Sequence, residues 1–247
     1  MRKNLHQLAQ YLFLILSAIN LYAELTQWRE AIFVTRIFLL PMLAVYYATG
    51  VAQGNWTALH KFMLAGIVFS FVGDFALLLT PNGPDDLAIM GVPKNKFYFF
   101  GGVAGFFVAH LCFIKAYLSS KATVAISLCK RAKWPFALVV AYAIAILAIV
   151  VPKVYADPEK SIVTLPIIGY TMVIASMVSI AINRYGKVSQ SSYVLVLVGA
   201  VLFFLSDSLI ALNFLAFNNA IPLASFFIMI TFLAAEYFMA KGMLSEQ

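Results

Sequence analysis

Charge is scarce in this chain: 11% of its 247 residues are Asp, Glu, Lys or Arg, where soluble globular proteins carry about 25%. With 63% hydrophobic residues and a mean hydropathy of +0.93, a soluble fold is excluded. Cysteine is nearly absent. Cys112 lies inside an apolar run and Cys129 in a basic loop, which gives no case for a disulfide or a cysteine metal knuckle. Histidine is almost as rare. His6 and His60 fall at the edges of apolar runs and only His110 is deep, so a histidine-rich zinc site, as a metal-dependent lipid amidase of the ceramidase type would need, cannot be built. No convincing small-residue cleavage site follows Arg2 and Lys3 before Glu24, so the first apolar run reads as a retained helix rather than a removed signal. Long polar connectors are missing too, which leaves no room for a separate soluble domain.

What the chain has in abundance is apolar length. Runs near the ~20 residues that cross a bilayer occur at Leu8 to Ala23, Ala31 to Thr49, Leu59 to Leu79, Phe97 to Leu118, Trp134 to Val151, Ile162 to Asn183, Tyr193 to Phe217 and Ala220 to Ala240. The fold class is therefore an all-α integral membrane protein with eight transmembrane helices, and residues 1–247 form one multi-pass domain. Trp28, Trp56 and Trp134 stand near span ends, where indoles anchor at the interface.

The net charge of +7 does not imply nucleic acid, because the basic residues flank spans instead of forming one stripe. With a cytoplasmic N-terminus, the inner side holds Arg2, Lys3, Lys61, Lys115, Lys121, Lys130, Arg131, Lys133, Arg184, Lys187 and Lys241, against Arg29, Lys94, Lys96, Lys153 and Lys160 outside. This asymmetry follows the positive-inside rule and places both termini in the cytoplasm. The expected membrane is a bacterial inner membrane, with the endoplasmic reticulum as its counterpart in a eukaryotic cell. The longest connectors are the basic Ser119 to Lys133 and the Pro-, Gly- and Asp-rich Pro81 to Lys96, which reads as an ordinary connector or as a lid over an outward-facing pocket.

Against this background the buried acids stand out. Asp74 lies in the run Gly66 to Leu79 and Asp207 in the run Val194 to Leu212. A carboxylate at mid-helix costs roughly 2.5 to 3.5 kcal/mol to insert, so each is a candidate functional residue. Superposing them also aligns Gly66 with Gly199, Phe71 with Phe204 and Leu79 with Leu212, the pattern a duplicated four-helix unit would leave. Residues four apart share a helix face, which puts Ser70 on the stripe of Asp74 and leaves Ser206 beside Asp207. Asn20 and Glu24 follow Ser17 along the first helix, Arg36 falls about one turn into the second, and Glu236 lies in the last. In the fourth helix Gly101, Gly105 and Ala109 form a small-residue edge, and Gly102, Phe106 and His110 form the adjacent stripe. On the expected topology Asp74, Asp207, Arg36, Asn20, Glu24 and Asn213 share the outer half of the membrane, with His110 and Glu236 nearer the inner half. Glu24 and Glu236 fall near helix ends, where snorkelling is cheap.

Several of these residues also carry a resemblance. Gly199-Ala200, Phe203, Ser206-Asp207, Leu209 through Leu212 and Phe214 resemble the penultimate-helix signature of the YhhN-like family, whose members include animal lysoplasmalogenases. Phe69-Ser70 with Gly73-Asp74 and Leu77, Phe106 with Ala109-His110, Thr35-Arg36 with Pro41, and Tyr170 with Met177 are similar to further segments of it, in the same order. Two positions depart: Arg36 stands where lysine is expected, without the adjacent proline, and Glu236 where glutamine is usual. The resemblance implies hydrolysis of the sn-1 vinyl ether of a lysoplasmalogen, without a metal or other cofactor, to a fatty aldehyde and glycerophospho-ethanolamine or -choline. Asp74 and Asp207 would be catalytic, and Arg36, Ser70, His110, Ser206, Asn20 and Glu24 would bind the lysophospholipid within the membrane lipid. Vinyl-ether hydrolysis needs one neutral acid to protonate carbon and one ionised group to stabilise the cation or activate water. Two interacting buried carboxyls divide these roles by splitting their pKa values, as glycosidase acid pairs do. The acid that Arg36 approaches should be the ionised one. The competing reading is a lipid or small-molecule transporter that uses the same carboxylates as a proton relay.

Overall fold

The computed structural model describes residues 2–52, 56–80, 88–89, 92–120, 132–158 and 160–246. Among them, eight helical segments are long and apolar enough to cross a membrane. They are α1 (Arg2–Thr26), α2 (Arg29–Gly50), α3 (Ala58–Leu78), α4 (Lys94–Leu118), α5 (Trp134–Tyr155), α6 (Thr164–Ile182), α7 (Gln190–Ile210) and α8 (Ala224–Leu244). Most of the Pro81 to Lys96 connector, including Asp85 and Asp86, and most of Ser119 to Lys133, including Cys129, Lys121, Lys130 and Arg131, lie outside the described residues, as does Glu159. Large apolar side chains such as Ile15, Phe38, Val72, Ile144 and Met172 are exposed, as lipid-facing surface requires and water-facing surface rarely allows. Trp28 and Trp134 are exposed too.

The chain divides into two compact units, Met1–Phe113 and Ile114–Gln247. In the first, α1 and α2 are joined by Gln27 and Trp28 alone. Gln27 takes a positive φ of 57°, its side chain donates to the Glu24 carbonyl at 2.7 Å, and the Trp28 amide reaches back to the Ala23 carbonyl at 3.0 Å. So short a link fixes α1 and α2 as an antiparallel hairpin and sets Glu24 beside the first turns of α2. The hairpin is closed at its other end by Arg2, whose guanidinium donates to the Thr49, Ala48 and Val51 carbonyls at the end of α2. These are carbonyls that a helix leaves without intrahelical partners.

Helices α3 and α4 meet backbone to backbone. A Cβ on Gly105 would stand 2.8 Å from the Gly73 Cα, and one on Gly66 would stand 2.2 Å from the Phe113 ring. The contact face is turned slightly from the expected edge: Gly102 and Gly105 are buried, whereas Gly101 is exposed and meets only Ala76, at 3.8 Å. Large residues on both sides of a close crossing rotate the small ones into it, and here Leu77 and Phe106 do so. The crossing seats Gly73, and hence Asp74, against α4.

In the second unit α8 is the interior helix, with 56% of its span buried against 17% for α5. Gly199 of α7 lies under the α8 backbone, where an added Cβ would come within 2.8 Å of the Ala235 carbonyl oxygen. Phe203 and Phe232 pack edge to face at 5.5 Å. Helix α7 does not run unbroken to Phe217. After Ile210 it widens into a π-helical segment, Ala211–Ala216, and the chain then turns through Asn218 and Asn219, both at positive φ. Asn213 holds this turn through Asn219 at 3.1 Å and the Ile221 amide at 3.2 Å. The turn delays α8, which starts at Ala224, not Ala220, and runs on to Leu244. Glu236 thus falls two turns inside the helix, fully buried, and does not snorkel.

Candidate functional site

In the first unit Arg36 stands between two carboxylates. Its Nη2 lies 3.2 Å from Glu24 Oε1 and its Nη1 lies 3.6 Å from Asp74 Oδ1. All three side chains are shielded, with exposures of 13%, 4% and 7% for Arg36, Glu24 and Asp74. Each comes from a different helix: Glu24 from the end of α1, Arg36 from the second turn of α2, and Asp74 from the last turns of α3. The neighbouring turn adds Asn20, whose amide donates to Thr35 Oγ1 at 2.8 Å while Thr35 donates to the Ala31 carbonyl at 2.6 Å. Ser70, one turn before Asp74 on α3, is fully buried.

Four buried polar atoms of this cluster have no hydrogen-bond partner among the described residues: Asn20 Oδ1, Ser70 Oγ, Glu24 Oε1 and Arg36 Nε. Glu24 Oε1 meets Arg36 as a charge pair without hydrogen-bond alignment. Buried polar groups are nearly always satisfied, so such a concentration needs an explanation.

In the second unit, the Tyr170 hydroxyl of α6 donates to Asp207 Oδ2. Asp207 is 9% exposed. Ser206, next to it, donates to the Ile228 carbonyl at 3.0 Å and so ties α7 to α8. His110 is fully buried on α4 in the first unit. The expected residues therefore fall into two groups. Arg36, Glu24 and Asp74 are in direct contact, with Asn20 and Ser70 one turn away, whereas Asp207 and Ser206 belong to the second unit.

Tyr170 as the partner of Asp207 was missed in the sequence, although it was one of the residues carrying the family resemblance. A tyrosine in the apolar run after Gly169 has nothing in its spacing to mark it as a carboxylate's donor. A second buried cation, Arg184, pairs with Glu246 and donates to Ser192 at 3.1 Å, a cluster at the α6–α7 turn, at the opposite end of α7 from Asp207. A cavity of about 440 Å³ opens beside Arg2, His6, Thr49 and Val51, at the end of the α1–α2 hairpin away from the carboxylates. Among the described residues, no group of three His, Cys, Asp or Glu side chains is placed to hold a metal ion.

A helical multi-pass membrane protein with acid groups buried deep in its spans is a class in which ionisable side chains mark the working site. Within it, this chain belongs to the YhhN family, whose model matches residues 31–243. The matched range holds Arg36, Asp74, Tyr170 and Asp207, and starts after Asn20 and Glu24. No curated protein and no solved structure matches the chain.

Proposed function

We propose that the protein is a membrane-embedded hydrolase that cleaves the sn-1 vinyl ether of a lysoplasmalogen, with Asp74 and Asp207 as its catalytic carboxylates. The observation that carries the assignment is the contrast in partners. Asp74 faces a guanidinium at 3.6 Å, which favours the charged carboxylate, whereas Asp207 accepts from the Tyr170 phenol, so each buried acid is held by its own polar partner. A neutral carboxyl gives its proton to the β-carbon of the vinyl ether and leaves an oxocarbenium ion. Water adds to that cation, and the proton it releases returns to the carboxylate and resets the acid. The hemiacetal then collapses to the fatty aldehyde and the glycerophospho-alcohol, consuming one water in all.

Family membership supports this reading, as do two buried acids with different kinds of partner. With both termini cytoplasmic, Asp74, Arg36 and Glu24 stand toward the outer leaflet, from which the headgroup would enter. The test is product analysis with purified protein given lysoplasmalogen and, separately, its saturated alkyl-ether analogue. Aldehyde should appear from the first substrate alone. Transfer of intact lipid across a vesicle membrane without aldehyde would overturn the hydrolase in favour of a carrier.

A further inference from the structure

Among the described residues, the cluster in the first unit contains one more acid than base. Glu24 and Asp74 share a single guanidinium, and a buried carboxylate without full compensation is costly. Three of the partnerless atoms around it, Asn20 Oδ1, Ser70 Oγ and Glu24 Oε1, are acceptors or can act as one, and the fourth, Arg36 Nε, is a donor. Asn20 and Ser70 are fully buried, each one turn inward of Glu24 and Asp74 on its own helix. What completes such a set is a ligand with several N–H donors on a positive centre and an anionic oxygen close by.

We propose that this cluster is a headgroup site that takes a primary ammonium and a phosphate together, and so selects ethanolamine over choline lysophospholipids. The inference rests on the lysophospholipid reading above. The ammonium fills the surplus negative charge at Glu24 and donates to the open acceptors, while a phosphate oxygen accepts from Arg36 Nε. Charge alone does not discriminate, because both headgroups are cationic. The discrimination lies in hydrogen: a primary ammonium has three N–H donors and a trimethylammonium has none, so choline leaves the buried acceptors unsatisfied. Sites built to hydrogen-bond a group reject analogues that lack it more strongly than apolar pockets reject a methylene. Glu24 and Asn20 precede the family-matched residues, so the selectivity is argued from α1 of this chain and not from the family match.

The experiment uses the full chain in nanodiscs and four saturated alkyl-ether lysophospholipids whose headgroups are ethanolamine and its N-methyl, N,N-dimethyl and N,N,N-trimethyl derivatives. None carries a vinyl ether, so binding is read independently of turnover. Affinity should fall along the series, with ethanolamine at least about tenfold tighter than choline, the ratio that one charge-assisted hydrogen bond supplies. Glu24→Gln should weaken both headgroups, because both feel its charge, and ethanolamine more than choline, because only ethanolamine loses a charge-assisted hydrogen bond. Equal binding across the series to the wild-type protein, which needs no variant to fold, would overturn the selectivity alone and assign the surplus charge to a bound proton. An equal loss for ethanolamine and choline in Glu24→Gln would also overturn it. Binding of none of the four would overturn it together with the lysophospholipid reading.

Discussion

Asp74 and Asp207 occupy matching places, each within about one turn of the end of its helix, yet they are held by opposite kinds of partner. Asp74 shares a guanidinium with a second acid, and Asp207 receives a phenolic proton donor. Both helices carry a glycine eight residues before the aspartate. Gly66 admits the Phe113 ring of α4 and Gly199 admits the α8 backbone. The difference teaches that similar helix sequences need not make similar sites. What sets the chemistry of each acid is the neighbouring helix, α2 in one unit and α6 in the other.

The comparison breaks first at Arg36. Arg36→Leu leaves two buried carboxylates without their countercharge and should destabilise the protein by about 3 to 5 kcal/mol, as removal of one member of a buried pair does. Thermal denaturation in detergent reads this, and the added change Glu24→Gln should recover part of the loss. A melting temperature unchanged by Arg36→Leu would show that Asp74 does not depend on that cation.

Smaller in energy, but decisive for chemistry, are Asp74→Asn and Asp207→Asn. A positioned proton-transfer group contributes about 10² to 10⁴-fold, so each should lose at least about 10²-fold in aldehyde release per folded molecule. The double variant should be little worse than the weaker single one, since groups acting as a unit are non-additive. Near-wild-type turnover in either folded variant would remove that residue from the mechanism.

The smallest effect is expected from Tyr170→Phe, which deletes one donor and keeps the ring. A hydrogen bond to a charged or reacting group is worth about 1.5 to 3 kcal/mol, so kcat should fall by about tenfold or somewhat more while KM changes little. A change confined to KM would recast Tyr170 as a substrate contact.

Much of the fold was legible because a bilayer demands long apolar runs, and all eight spans fall where those runs lie. Their ends were less legible. Ending the first run at Ala23 placed Glu24 at the edge, where it would snorkel, but helix hydrogen bonding continues to Thr26 and the tight turn folds Glu24 inward, to 3% exposure. Depth alone put Arg36 level with both Asp74 and Asp207 and did not choose between them. The capture of Arg36 by Glu24 could not be anticipated either, because apolar runs do not encode the geometry of a two-residue link. The Tyr170–Asp207 bond was invisible for a related reason: hydropathy says which residues lie in the membrane, and only packing says which of them touch.

The short α1–α2 hairpin also bears on how the protein enters its membrane. Glu24 and Arg36 would each resist insertion alone, though by less than the roughly 2.5 to 3.5 kcal/mol of a helix centre because each lies within about two turns of a helix end. Joined by Gln27 and Trp28 and clasped at the far end by Arg2, the two helices can partition as one preassembled element whose opposite charges already neutralise each other. Asp74 then arrives on the next helix to meet a cation that is already in place, so the order of synthesis along the chain is also the order in which the cost of burying its charges is met.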